Sequence, residues 1–185
     1  MSSRTRPSAQ PSEISLLKKK GNGPLRIALA FPNTYYVGMS NLGYQAVFRL
    51  LAEIPDVRCE RVFLPDAEAL AGLRRTGKPL CSLESGAALD TFHIVAFSLS
   101  FENDYENILT MLSLGRVPLL QSGRDSRRPL VIAGGVAAFL NPEPLADFFD
   151  LFIIGEAEEV LGEFCAAALR QFAETKSCRE LCAYK

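Results

Sequence analysis

The residues of this chain that could do chemistry suit the binding of a flat ligand better than the cleavage of a bond. "GGVAAFLNPEPLADFFDLFIIGEAEE" (134–159) opens on Gly134 and Gly135, which lack side chains and let backbone amides approach a ring or a phosphate closely. "SLSFEND" (98–104) supplies the hydroxyls of Ser98 and Ser100 and the ring of Phe101. "PNTYYVGMSN" (32–41) supplies Asn33, Thr34, the rings of Tyr35 and Tyr36, and Gly38. Of the three carboxylates in "GEAEE", Glu158 and Glu159 fall in a first helical turn, where the helix dipole accounts for them. Glu156 is the one placed to face a ligand.

Several reaction classes are missing. No GxGxxG follows the first apolar run, and there is no Walker loop. The single histidine, His93, opens an apolar run, so it belongs at the far end of a strand and completes no Ser-His-Asp set. Cys178 and Cys182 have CxxxC spacing, but Lys185 stands where a third cluster thiolate would be required. They read as linker cysteines.

These loops need elements to hold them. Five apolar runs have strand length: "RIALAFP" (26–32), "VRCERVFL" (57–64), "HIVAFSLS" (93–100), "PLVIAGG" (129–135) and "DLFIIG" (150–155). Four are nearly continuous in apolar residues, as in parallel strands covered on both faces. The second carries Arg58, Glu60 and Arg61, which places it at an edge. Helical periodicity fills the gaps: Leu42 to Ile54, Ala67 to Arg74, a helix from Asn103 to Leu114 capped by Asn103, a short one from Pro144 to Phe149, and a long stripe from Val160 to Phe172. Strand and helix alternate throughout. The pattern predicts an α/β, doubly wound (flavodoxin-like/Rossmann-like) five-stranded parallel sheet of order 2-1-3-4-5, with helices on both faces. In that order the four loops share the carboxyl rim of the sheet, beside the switch point between the first and third strands.

The chain has 185 residues, a formal net charge of −1 and 48% hydrophobic residues, enough for one core and a tail. Residues 1–24 carry Arg4, Arg6, Lys18, Lys19 and Lys20 against Glu13, with few large apolar residues, and are expected to be disordered or extended. The folded domain is expected over 25–173, and 174–185 as a linker. Five scattered cysteines without an export signal imply a reducing, cytoplasmic setting. No apolar run approaches the length of a membrane span.

"PLVIAGGVAAFLNPEPLADFFDLFIIGEAEE" resembles the end of the cobalamin-binding-type domain that precedes the catalytic barrel in many radical SAM proteins. "IALAFPNTYYVGMSNLGYQAVFRLL", "ERVFLPD", "PLCSLESGAAL" and "FSLSFENDYENILTMLSLGRVPL" are similar to the N-terminal region of one uncharacterised branch of that family. The likeness runs in collinear order over roughly residues 25–170. It implies a Rossmann-like N-terminal domain of a longer enzyme. The iron–sulfur cluster and S-adenosylmethionine would belong to a downstream barrel of the same polypeptide, and cobalamin would be the ligand of this domain. On that reading the cofactor-binding positions are Asn33, Thr34, Tyr35, Gly38, Ser98, Ser100, Phe101, Gly134, Gly135 and Glu156. Gly134 and Gly135 match the family's glycine pair, and Ser98 matches its serine motif in part. The DxHxxG loop of histidine-ligating cobalamin domains has no counterpart here, because "PNTYYVGMSN" contains Gly38 but no histidine. An interaction module that has lost its cofactor and shapes substrate access, with RNA as a partner of the basic tail, is the other reading. A flavodoxin-like electron carrier is disfavoured, since no compact Ser/Thr-rich phosphate loop follows the first strand.

Overall fold

Side chains along each central strand alternate between two apolar layers, so the sheet is buried on both faces. The computed structural model describes residues 23–183; the expectation for the basic tail falls almost wholly on residues 1–22, outside the described residues. The strands are β1 (Leu25–Phe31), β2 (Val57–Phe63), β3 (Ile94–Ser98), β4 (Leu130–Gly134) and β5 (Leu151–Ile153). All pair in parallel in the order β2-β1-β3-β4-β5, as the alternation predicts.

The helices are α1 (Tyr35–Met39), α2 (Leu42–Glu53), α3 (Ala67–Thr76), α4 (Tyr105–Leu114), α5 (Val136–Leu140) and α6 (Ala157–Thr175). Ile27, Leu29, Ile94, Leu130 and Ile132 face one layer, where Tyr44 and Leu51 of α2 and Leu161, Cys165 and Ala168 of α6 cover them. Ala28, Ala30, Val95, Phe97 and Val131 face the other, against Ile108, Met111 and Leu112 of α4 and Ala137 and Ala138 of α5. Asn41 caps α2 by accepting a bond from Tyr44 N–H. Asp66 does the same for α3, which ends at Gly77 in the left-handed conformation.

Three local expectations need correction. Asn103 caps no helix: a 3-10 turn spans Glu102–Asp104, and the cap position of α4 is Asp104. The Asp104 carboxylate is turned inward, accepting from Asn33 (2.9 Å) and Asn107 (3.3 Å). The expected helix at 144–149 is only a 3-10 turn, Glu143–Leu145. Its continuation is diverted because Gln121 takes the carbonyls of Ala146 and Asp147. The short helices α1 and α5, read from sequence as loop, are single turns at the rim. The expectation for β2 holds: it is an edge strand, and its Glu60 and Arg61 are buried there. The loop after α3 folds over them. Glu60 accepts from the hydroxyls of Ser82 (2.6 Å) and Ser85 (2.5 Å), and Arg61 pairs with Glu84 at 2.7 Å. Burial alone would raise the Glu60 carboxyl, but those hydroxyls and Arg58 hold it below its ordinary value. The edge is covered by its own charges.

Candidate functional site

A cavity of about 600 Å³ opens at the carboxyl rim on the α2/α6 face of the sheet. Its floor is Ile27, Leu29, Ala96, Ile132 and Ile153, and its walls include Val47 and Leu51 of α2 and Leu161 and Phe164 of α6. The space exists because small residues meet there. Ala96 stands mid-sheet, and Gly43, Ala46 and Ala157 occupy the early turns of the two helices, so neither helix fills the gap above the floor. The volume is of the size that holds a ring system, and an apolar interior with a few polar groups at its mouth is the usual make-up of such sites.

Half of the residues singled out from sequence line this cavity: Ser98, Ser100, Gly134, Gly135 and Glu156. The other half do not. Asn33 is turned to Asp104 and bonds the amide of Thr34, with its carbonyl taken by Leu64 N–H. Thr34 stands at the cap position of α1. The ring of Tyr35 packs edge-on against Phe63 at 5.3 Å. Gly38 lies under the same ring, where a Cβ would come 2.5 Å from Phe63 Cε1, so its glycine serves packing. Phe101 is 57% exposed, outside the cavity.

Asn41, Gly43, Gly155 and Glu158 also line the cavity and were not singled out. For Asn41 a signal was present, a cap residue before an apolar stripe. Its Nδ2 donates to Ser100 Oγ at 2.9 Å, tying the loop after β1 to the loop after β3 at the switch point.

The glycine pair divides its work. Gly134 ends β4 in register with Ser98 and Ile153, and a Cβ there would make only ordinary contact. Gly135 has φ +104°, and a Cβ would lie 2.5 Å from the Leu99 carbonyl oxygen. The need for glycine at 135 is therefore met inside the protein.

Large apolar side chains are exposed in the segments that follow the strand ends: Leu42 is 80% exposed, Tyr36 66% and Phe139 63%, with Val136, Leu140 and Ile154 also exposed. Val136 and Phe139 line the cavity. His93 lies at the other end of the sheet, just before β3. Its Nδ1 accepts the Arg26 backbone N–H at 3.0 Å and its ring stacks on Phe172 at 4.1 Å. Burial, then the Arg26 charge, lowers its pKa.

Cys178 is buried beneath α6, and burial pushes its thiol up to about 12 and that of Cys165 up to about 11. A thiol so held is a poor source of the thiolate a metal requires. No group of three or more His, Cys, Asp or Glu among the described residues is arranged to hold a metal ion. No helix among them is long and apolar enough to cross a membrane.

Residues 43–184 match the family described as radical SAM proteins, N-terminal. Over 132 residues the chain is 25% identical to an uncharacterized protein of Methanocaldococcus jannaschii, which covers 71% of this chain. The chain spans 24% of the length of that relative. With a parallel sheet, a rim cavity and a family match over most of its residues, the chain belongs to the N-terminal domain family of the radical SAM proteins.

Proposed function

We propose that this chain is the ligand-binding accessory domain of a radical SAM enzyme, holding the flat tail of a cobalamin between α2 and α6. The observation that carries the reading is the cavity, which reaches from a polar mouth at Ser98, Ser100 and Glu156 to a floor of Ile27, Leu29 and Ile132. An aromatic base entering edge-first would lie on that floor between Val47 and Leu161. The Ser98 and Ser100 hydroxyls would meet the polar groups that follow it, and Gly134 would leave room for the ring carried outside.

The donor set fits the tail and not a histidine-ligated cobalt. No imidazole lines the cavity, and His93 is committed to Arg26 and Phe172 at the far end of the sheet. A bound cobalamin would supply cobalt-centred methyl or radical chemistry. The cluster and S-adenosylmethionine would belong to a barrel downstream in the same polypeptide. The exposed apolar side chains that follow the strand ends suit docking against it.

Titration of the chain with hydroxocobalamin, followed in the visible spectrum, tests this. Saturable binding without an imidazole-ligated spectrum is expected, lost in Ala46→Phe, which fills the cavity. Absence of binding at millimolar concentration removes the cofactor reading. The second reading, an interaction module that shapes substrate access, then stands on the exposed apolar side chains.

A further inference from the structure

The only ionisable side chains lining the cavity, among the described residues, are Glu156 and Glu158. Both are exposed at its mouth, and neither forms a salt bridge among the described residues. Glu156 stands at the cap position of α6 without a side-chain cap bond, and Glu158 lies in the first turn. Glu158 and Glu159 in the first turn of α6 already complement its dipole. The Asn41 amide is used on both sides, by Tyr44 N–H and by Ser100 Oγ. The lining of the mouth thus carries two carboxylates and no cationic side chain, above a floor that is apolar.

We infer that this cavity selects its ligand by charge. It takes a flat apolar or aromatic body whose outer end is neutral, rich in hydrogen-bond donors, or positively charged. It disfavours a body of the same shape whose outer end leaves the ligand with net negative charge, as in free nucleotides, flavin phosphates and aryl sulfonates. The inference rests on the reading of this cavity as the ligand site. Cobalamin meets the description as a whole molecule, because the cobalt–corrin unit offsets the single phosphodiester that follows its base, leaving it neutral or singly positive with a periphery of primary amides. A carrier of flavin phosphate does not.

A matched pair of probes isolates the charge: N-phenyl-1-naphthylamine and its 8-sulfonate derivative share one aromatic body. At low ionic strength the neutral probe is expected to bind saturably and roughly fivefold or more tightly than the sulfonate. The ratio should fall toward one in the Glu156→Gln/Glu158→Gln double variant, whose substitutions are at exposed positions, and in about 1 M salt. Ala46→Phe should abolish saturable binding of the neutral probe while the far-UV circular dichroism is unchanged. Equal or tighter binding of the sulfonate, a ratio indifferent to the two Gln substitutions, or neutral-probe binding that survives Ala46→Phe would each overturn the inference. Hydroxocobalamin reports separately. If it fails to bind while the probes are discriminated, the cobalamin reading falls and charge selection stands. If it binds while the probes are not discriminated, the reverse holds.

Discussion

Gly135 lies against the backbone of Leu99: a Cβ added at φ +104° would meet the Leu99 carbonyl oxygen at 2.5 Å and its nitrogen at 3.0 Å. The contact belongs to a junction in which Leu99 N–H donates to the Gly134 carbonyl (2.8 Å) and Ala137 N–H donates to the Leu99 carbonyl (3.2 Å). Both the torsion and the clash oppose any side chain. Gly135→Ala is expected to cost about 3 kcal/mol of stability, from backbone strain and overpacking together. Gly134→Ala, which meets only Ile153 at ordinary distance, should stay within about 1 kcal/mol. Urea unfolding of the two variants separates them, and equal losses would show that the junction is not what requires glycine.

His93 should make stability depend on pH. Its folded-state pKa is lowered from the ordinary 6.5, and Nδ1 must stay unprotonated to accept the Arg26 N–H. Above pH 6.5 the ring is neutral in both states and the contribution is complete. As pH falls below 6.5 the unfolded chain takes the proton first, so stability is lost down through the folded value. In His93→Asn, whose Oδ1 can still accept that bond, this loss should disappear between pH 6.5 and the lower folded value. Unfolding midpoints measured across that window, with an unchanged slope in the variant, would refute it.

Arg124 anchors the loop before β4. Its side chain is fully buried, pairs with Asp150 at 2.8 Å and donates to the carbonyls of Pro118, Leu119 and Phe148. Arg124→Ala leaves those carbonyls without their donor and is expected to cost about 3 kcal/mol or more. Arg127, whose pair with Asp125 is exposed, should tolerate alanine with little change in stability. A chemical-denaturation comparison of the two variants checks the contrast.

The cysteines should divide by burial. Cys81 is exposed, whereas Cys165 and Cys178 are buried; partial burial and then Asp90 raise the Cys81 thiol too, so access is what divides them. Iodoacetamide at neutral pH is expected to label Cys81 in the folded chain and to reach Cys165 and Cys178 only on unfolding. Anaerobic reconstitution should yield no stoichiometric iron–sulfur cluster. A full cluster per chain, lost in Cys178→Ala, would require the segment after α6 to leave its place and would refute the assignment.

Periodicity alone was enough for the sheet. Continuous apolar runs separated by helical stripes allow little besides a parallel, doubly wound arrangement, because each run must be covered on both faces. The charges of β2 marked it as the edge, and the position of His93 in its run placed it away from the rim. Those are properties of local pattern, and local pattern survives in a sequence.

The membership of the site was decided in three dimensions. Asn33 and Asn41 lie in the same loop with similar chemistry, yet Asp104 draws one away from the cavity and Ser100 holds the other at its edge. Gly38 and Gly135 are both glycines in segments that follow strand ends, and their reasons are Phe63 and Leu99, partners that no spacing rule identifies. Glu60 and Arg61 mark β2 as an edge in sequence, and they are buried there because Ser82, Glu84 and Ser85 fold over them. The cavity itself comes from Ala96 meeting Gly43, Ala46 and Ala157 across the layers. The sequence by itself determined which segments form strands and which loops reach the rim. Which way each rim side chain turns depends on contacts with distant segments, and those exist only once the sheet has brought the loops together.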